Sequence, residues 1–180
     1  MALPVLTPPH LGGHCGITHV DAPVLQLLRD RYGVRSMLDV GCGPGGMRQV
    51  AAALGITWEG VDGDPACKAP DVIVHDYTGG GLWWSAVDLV WSVEFVEHVA
   101  PSARDNFLAT FEAGRVLFMT HALPGQIGHH HVNCQPPAYW IDALQARGWT
   151  LDAEATLAAR MVATDQYTRA TGLVFTRGEG

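Results

Sequence analysis

The chain has 180 residues, of which 48% are hydrophobic and 16% are charged, and its formal net charge is −7. This composition excludes a disordered chain and predicts a single globular domain over residues 1–180 with a sizeable core. The acidic balance disfavours, without excluding, a nucleic-acid partner, because binding to a phosphate backbone needs a basic surface.

The predicted elements alternate between helices and strands along the first half of the chain. A helix over 22–32 ends at Gly33, and its apolar residues recur at helical spacing. In chain order there follow a strand over 36–40, a glycine-rich loop over 41–46, a helix over 47–55, and strands over 57–62, 71–76 and 87–92.

The second half continues the alternation. A predicted helix over 101–114 carries Pro101 and Ser102 at its start, a pattern that is typical of helix N-termini. It is followed by a strand over 115–121, a helix over 136–148, and two late strands over 149–155 and 171–177.

These elements predict a doubly wound α/β domain. The apolar runs of the strands do not alternate with polar residues, as expected when both faces of a parallel sheet are covered. Right-handed crossovers then bring the loop after each strand to one edge of the sheet, so we expect the functional residues there.

The chain shows no sign of export or of membrane insertion. No apolar run reaches the roughly 20 residues of a membrane span, and residues 1–9 contain three prolines and no basic residue, which argues against a signal peptide. The cysteines at positions 15, 42, 67 and 134 form no CxxC pair. We interpret them as reduced thiols of a cytoplasmic protein without a membrane partner.

A glycine-rich loop follows the first strand. Gly41 and Gly43 allow a tight turn and a close approach to a ligand, and with Gly46 they match GxGxxG. Asp62, about twenty residues on, is where a dinucleotide fold keeps its ribose-binding acid. The loop alone therefore leaves a nicotinamide enzyme open, although Asp39 is a poorer neighbour for a pyrophosphate than for an ammonium group.

The segments LDVGCGPGG, GVDGDP, VIVHDYTG and DLVWSVEFVEHV occur in that order. Together they resemble the motifs of class I S-adenosylmethionine-dependent methyltransferases. The resemblance covers roughly residues 20–178 and implies a mostly parallel seven-stranded sheet with an antiparallel last strand. It also implies that loop glycines face the methionine part of the cofactor, that the acid before them anchors its charged end, and that later acids bind ribose and adenine. The implied cofactor-binding residues are Asp39, Gly41, Gly43, Asp62 (with Asp64 as a rival), Asp76 and Ser92.

The stretch SVEFVEHV follows the fourth strand. If residues 93–99 form a helical turn, then Glu94, Glu97 and His98 face one way and form half of a divalent-metal site. The carboxylates suit Mg or Mn, and the histidine shifts the preference towards Mn, Fe, Co or Zn. The alternative is that these acids merely stabilise a helix N-terminus.

Three consecutive histidines follow the fifth strand. His129, His130 and His131 lie in a loop expected at the same edge, where one or two, with His130 included among the ligands, would complete the metal shell. Another of the three would act as the catalytic base, because histidine titrates near neutral pH. A solvated polar loop is the alternative.

The ExxEH spacing is similar to the metal site of small-RNA 3′-terminal 2′-O-methyltransferases and to sequences of ubiquinone-biosynthesis O-methyltransferases. The resemblance implies that a metal binds the hydroxyl groups of the acceptor. Because the chain is short and acidic, we expect a small hydroxylated acceptor, such as a sugar or a catechol-like ring, in place of RNA.

Several alternatives stay open from the sequence. They are a metal-independent methyltransferase with a histidine base, an RNA 2′-O-methyltransferase, a nicotinamide oxidoreductase and a nucleoside-binding regulatory module. The N-terminal residues 1–20 contain His10, His14, Cys15 and His19. Either they form a zinc site, or the segment folds over the cofactor mouth and brings His14 or His19 near the acceptor.

Overall fold

The computed structural model describes residues 8–178. Residues 1–7 lie outside the described range, and with them the predictions on the signal peptide and on the beginning of the N-terminal segment. A seven-stranded sheet with the order β3-β2-β1-β4-β5-β7-β6 forms the centre of the fold. Its strands are β1 (Ser36–Val40), β2 (Thr57–Asp62), β3 (Val72–Val74), β4 (Val87–Ser92), β5 (Gly114–Met119), β6 (Thr150–Leu151) and β7 (Leu173–Thr176).

Helices cover both faces of this sheet. They are α1 (Ala22–Tyr32), α2 (Met47–Ala53), α3 (Arg104–Phe111), α4 (Pro137–Gln145), α5 (Ala153–Val162) and α6 (Gln166–Thr171). The buried residues of α1, α2 and α5 belong to one hydrophobic core, and those of α3 and α4 belong to the other. Strand β7 is antiparallel to both of its neighbours, so the predicted doubly wound sheet with an antiparallel last strand is confirmed.

Two elements of the C-terminal third differ from the prediction. The predicted strand over 149–155 is wrong beyond Leu151, because the Asp152 side chain accepts a hydrogen bond from the Ala155 N–H and begins α5. Helix α6 was not predicted, and it begins in the same way at Asp165. In both places the sequence pattern does not reveal that an aspartate caps a helix: Asp152 lies in the predicted strand, and Asp165 lies in a predicted loop.

The crevice between β1 and β4 is the point at which the strand order reverses. β1 pairs in parallel with β2 on one side and with β4 on the other, so the chain turns outwards through β2 and β3 before it returns to the centre. Ligands of open α/β sheets bind at such a position, outside the carboxyl ends of the strands.

Two further observations bear on the sequence predictions. All four cysteines are free thiols. Within residues 8–178, no helix is long and apolar enough to cross a membrane.

Candidate active site

A cavity of about 270 Å³ opens at the carboxyl edge of the sheet. Its walls come from the loops after β1, β2, β3, β4 and β5, and its cover comes from the N-terminal segment, defined here as residues 8–21. The sequence-predicted residues that line it are Gly41, Gly43, Asp39, Asp62, Asp76, Glu94, His98, His129 and His131. The acids of the cofactor motifs and the metal motif therefore share one cavity.

Polar contacts fix the N-terminal segment over this cavity. His10 Nε2 lies 2.7 Å from Asp76 Oδ2, and His129 Nε2 lies 3.1 Å from the Leu11 carbonyl oxygen. The Gly46 N–H donates to Thr18 Oγ1 at 3.0 Å, and a Cβ on Gly46 would lie 2.8 Å from the Thr18 Cβ. The third glycine of the motif thus makes room for the segment that covers the cavity.

Asp39 is a buried acid at the floor of the cavity, with only 3% of its surface exposed. The indole Nε1 of Trp58 donates to its Oδ2 at 3.2 Å. Burial outweighs the hydrogen bond from Trp58 and, with a smaller contribution from the charge of Asp62, raises the pKa of Asp39 to about 7. A cationic ligand would stabilise the charged form of this acid.

Asp62 is held across the glycine loop. Its Oδ2 accepts from the Gly43 N–H at 2.7 Å, and its Oδ1 accepts from the Asp64 N–H at 2.8 Å. Asp64 caps the following turn by accepting from the Ala66 N–H and is not among the residues that line the cavity. Of the two acids that the sequence left open, Asp62 is the one at the cavity.

Asp76 and Ser92, the other two residues predicted to bind the cofactor, differ in position. Asp76 lines the cavity, and although burial acts to raise its pKa, hydrogen bonds from His10 and Thr78 outweigh that effect and lower the pKa below its usual value. Ser92 is completely buried and is not among the lining residues. Its hydroxyl has no hydrogen-bond partner within residues 8–178.

Glu94 occupies a left-handed backbone conformation with φ 52°. Residues 93–99 therefore do not form one regular helical turn, and only Val96–His98 form a short 3₁₀ turn. Thr120, directly after β5, accepts from the Glu94 N–H at 2.8 Å and donates its hydroxyl to Glu94 Oε1 at 2.9 Å. This pair of hydrogen bonds fixes a conformation that a non-glycine residue adopts only at a cost.

Glu97 is a completely buried acid, and within the described residues its carboxyl oxygens accept from no N–H group or hydroxyl, so that the Glu94 carboxyl is the neighbour with which it shares a proton. Burial raises its pKa well above the usual value, and repulsion from the Glu94 carboxylate raises it further. Its backbone carbonyl accepts from the N–H groups of Val132 and Asn133, which ties the histidine loop to it. Two neighbouring acids in a buried site cannot both be charged at low cost, and a bound cation would stabilise the charged form of Glu97.

His98 and His131 face this carboxylate with matching hydrogen bonds. Nδ1 of His98 lies 2.8 Å from the carbonyl oxygen of His129, and Nδ1 of His131 lies 3.2 Å from that of Gln126. Because a carbonyl oxygen only accepts, each ring carries its proton on Nδ1, and Nε2 keeps its lone pair.

These three side chains fit a divalent cation. One ligand atom from each of Glu97, His98 and His131 lies within 4.8 Å of the other two. Burial, followed by the charge of His131, lowers the pKa of His98 to about 4, so that His98 is neutral at physiological pH. Metal-binding histidines characteristically donate the other ring N–H to a carbonyl or carboxylate.

The three loop histidines separate in the structure. His131 joins Glu97 and His98, whereas His129 donates its Nε2–H to the Leu11 carbonyl. His130 has φ 47°, its ring centre lies 6.0 Å from that of His10, and it is not among the lining residues. The sequence predicts His130 as a metal ligand, whereas the histidine that stands beside Glu97 and His98 is His131.

Gly41 offers a direct test of the tight packing at the loop. A Cβ at this position would lie 2.6 Å from the Phe95 side chain, and φ is +79°. We expect Gly41→Ala to lower the free energy of unfolding by about 2–4 kcal/mol, because left-handed strain and overpacking add. The shape of the cavity should also change, since Phe95 lines it.

Gly148→Ala is the matched control, because Gly148 has φ +82° and open space around its Cβ position. It should show the backbone strain alone, about 1–2 kcal/mol. Equal losses for both variants in urea unfolding would contradict the packing argument.

Comparison with known proteins supports the fold. No protein-family model matches the chain, and no curated protein sequence matches it either. Among solved structures, the sugar N-methyltransferase KedS8 from Streptoalloteichus sp. is 16% identical with a TM-score of 0.63, over 87% of this chain and 85% of that one. The methyltransferase domain of bacterial CtHen1-C is 13% identical with a TM-score of 0.61, over 88% and 97%.

Magnesium protoporphyrin IX methyltransferase from Synechocystis, solved with bound S-adenosylmethionine, is 17% identical with a TM-score of 0.58, over 86% of this chain and 76% of that one. At such low identities the structural similarity shows the fold alone, and a shared fold does not determine the reaction. The chain has the Rossmann-like fold of class I S-adenosylmethionine-dependent methyltransferases.

Proposed function

We propose that this protein is an S-adenosylmethionine-dependent O-methyltransferase that uses a divalent metal to bind a small hydroxylated acceptor. The single observation that carries the proposal is the buried Glu97 carboxylate. Within residues 8–178 no N–H group or hydroxyl donates to it, its near neighbour Glu94 is another acid, and it stands beside two histidines. The cavity that it adjoins also holds the acids expected to bind the cofactor.

The cofactor half of the cavity suits a sulfonium nucleoside. Asp39 would pair with the ammonium group of the methionine part, which supplies the positive charge that this buried acid lacks. Asp62 already has both oxygens fixed by backbone N–H groups, so it is preorganised to accept from ribose hydroxyls. S-adenosylmethionine carries its own electrophilic methyl group, and the protein's main task is therefore alignment.

Glu97, His98 and His131 would hold the metal, with Glu94 beside them at the cavity wall. A set of one or two carboxylates with two imidazoles favours Mn, Fe, Co or Zn over Mg. A divalent ion at this position would lower the pKa of an acceptor hydroxyl. Thr120 supports the site by fixing Glu94.

The acceptor side favours a small molecule with neighbouring hydroxyl groups. Ile17, Val99 and Ile127 contribute apolar surface to the cavity, and Gln126 contributes an amide. With the formal net charge of −7, this lining suits a sugar or catechol-like ring better than a polynucleotide. RNA 2′-O-methylation is the alternative acceptor class, and a cytoplasmic location remains part of the proposal.

The alternative mechanism is a metal-independent methyl transfer, in which a histidine alone removes the proton from the acceptor. A loop histidine in that role stays a prediction. His129 and His131 line the cavity, but each has one ring nitrogen bonded to a backbone carbonyl. The effect of a chelator separates the two routes.

Calorimetry and a methyl-transfer assay test the proposal together. We expect S-adenosylhomocysteine to bind and NADH not to bind. We also expect label transfer from S-adenosylmethionine to catechol in the presence of Mn²⁺ to fall by about 100-fold or more after metal removal by a chelator. Restoring Mn²⁺ to the dialysed protein should restore activity.

The possible failures of this experiment point to different conclusions. Unchanged turnover in metal-stripped protein would reject the metal and favour the histidine route. Binding of NADH without binding of S-adenosylhomocysteine would reject the methyltransferase itself. Binding of S-adenosylhomocysteine without transfer to catechol, a sugar or a ribonucleoside would favour a regulatory nucleoside-binding module.

A further inference from the structure

A histidine–aspartate pair outside the metal motif faces the same cavity. His19 Nδ1 lies 3.2 Å from Asp165 Oδ1, and the His19 ring packs edge-on against Tyr167 with 4.8 Å between ring centres. Both His19 and Tyr167 line the cavity. The pair joins the N-terminal segment to the start of α6, so its two members lie 146 residues apart in sequence.

Asp165 is held rigidly. Its other oxygen, Oδ2, accepts from the N–H groups of Tyr167 and Thr168 at 2.9 and 3.0 Å and so caps α6. Its own backbone N–H donates to Asp21 Oδ2 at 3.1 Å, and Asp21 is completely buried. The oxygen that meets His19 therefore has a fixed position, which in turn orients the imidazole ring.

The bond to Asp165 decides the tautomer of His19. A carboxylate only accepts, so Nδ1 carries a proton, and in the neutral form of the ring the lone pair is then on Nε2. Nε2 of His19 has no hydrogen-bond partner within residues 8–178. A positioned base needs this arrangement, in which one nitrogen is oriented by a carboxylate and the other is available to the substrate.

The other histidines that line the cavity have other partners. His75 and His129 each direct Nε2 at a backbone carbonyl oxygen, that of Gly80 and that of Leu11. His98 and His131 stand with Glu97 in the metal group. His14 uses both ring nitrogens, because Nδ1 accepts from the Gly16 N–H and Nε2 meets Asp64. His10 meets Asp76, on the side of the cavity where the resemblance places adenine.

His19 lines the same cavity as Glu94, His98 and His131. The imidazole and the residues proposed for the metal group therefore face one shared space. The side chain of His19 is 37% exposed, so a proton that it accepts can pass to water.

We infer that His19, oriented by Asp165, is the general base that removes the proton from the acceptor hydroxyl, an assignment that rests on the proposed O-methyltransferase function. The acceptor O–H bond breaks as its proton moves to His19 Nε2. The acceptor oxygen forms the new bond to the methyl carbon, and the C–S bond breaks with its electron pair going to sulfur. The products are the methyl ether and S-adenosylhomocysteine, and the imidazolium then releases its proton to solvent.

Two substitutions test the assignment by turnover. We expect His19→Gln to lower kcat for catechol with Mn²⁺ by about 100-fold or more. Affinity for S-adenosylhomocysteine should change less than kcat. Asp165→Asn keeps an oxygen for the α6 cap but presents an amide N–H₂ to His19, and it should lower kcat through the wrong tautomer.

Asp152→Asn is the matched control, because Asp152 caps α5 in the same way and is not among the residues that line the cavity. It should leave kcat unchanged. Wild-type kcat in His19→Gln would overturn the assignment.

Nitrogen-15 NMR of the histidines in the full chain, with S-adenosylhomocysteine and without metal, provides a readout that does not depend on turnover. An Nδ1–H tautomer of His19 in the wild type that changes to Nε2–H in Asp165→Asn supports the assignment. An Nε2–H tautomer in the wild type overturns it, even if catechol is methylated. Absence of S-adenosylhomocysteine binding or of any Mn²⁺-dependent transfer is instead the failure of the proposed function, and the tautomer is measured in either case.

Discussion

Replacing Glu97 by glutamine should abolish Mn²⁺-dependent methyl transfer while leaving the affinity for S-adenosylhomocysteine nearly intact. Glutamine keeps the shape of the side chain but removes its charge, so the metal loses its buried anionic ligand. We expect turnover of catechol to fall by about 1,000-fold. Calorimetric titration with Mn²⁺ should show a parallel loss of metal affinity.

The same substitution should stabilise the metal-free protein at alkaline pH. Burial and the Glu94 charge raise the pKa of Glu97 well above its usual value, so the folded chain keeps a proton that the unfolded chain loses near pH 4.3. Stability of the metal-free wild type therefore falls by about 1.4 kcal/mol per pH unit between the two pKa values. Because glutamine does not titrate, this part of the loss of stability with rising pH should be absent in Glu97→Gln.

Metal binding must displace that proton, so stabilisation by Mn²⁺ should grow as the pH rises. Thermal unfolding at several pH values, with and without Mn²⁺, measures both effects. Glu112→Gln is the control, because Glu112 pairs with Arg147 and is not among the cavity residues. Chelator-sensitive turnover that survives in Glu97→Gln would contradict the metal assignment.

The positions of the three acids that we predict to bind the cofactor could be derived from sequence because they follow from topology. Asp39 and Asp62 lie within parallel strands close to their carboxyl ends, and Asp76 comes just after the end of a third. Parallel strands with right-handed crossovers bring such residues to one edge whatever their side chains contact. The structure places all three at one cavity.

The finer features of the site depend on local backbone geometry, which periodicity does not encode. His130 and His131 are neighbours in sequence, and a left-handed residue at position 130 sends their side chains in different directions. Glu94 is left-handed as well, and its partner Thr120 comes from a different strand end. A signal was present at Thr120, a polar residue directly after an apolar strand, but nothing local connects it with Glu94.

Burial was equally invisible from the sequence. Nothing in DLVWSVEFVEHV distinguishes Ser92 and Glu97, which are completely buried, from Glu94 at the cavity wall. The role of His19 depends on an aspartate 146 residues away. That aspartate begins a helix that the apolar pattern did not reveal.

Asp39→Asn should weaken binding of S-adenosylhomocysteine by about 100-fold, the effect of losing a charged hydrogen bond in a buried site. Asparagine can still accept from Trp58 Nε1, so the surrounding packing is retained. What disappears is the negative charge that would meet the ammonium group of the ligand. Isothermal titration calorimetry measures the change directly.

The pH dependence distinguishes this explanation from simple misfolding. The pKa of Asp39 is about 7, so below pH 7 the acid must lose a proton before it can pair with the ligand. Wild-type affinity should therefore fall by up to tenfold for each pH unit below 7. An α-amino group loses its proton near pH 8, so affinity should also decline on the alkaline side.

In Asp39→Asn the affinity should not fall below pH 7, because the asparagine side chain does not titrate. The fall in affinity at alkaline pH should be weak, because no negative charge remains at this position to attract the ammonium group. Asp105→Asn, at an exposed position next to Arg104, serves as the control and should keep the wild-type profile. If the affinity of Asp39→Asn still fell below pH 7, another residue would be the titrating group. Asp39 would then not be the residue that anchors the charged end of the cofactor.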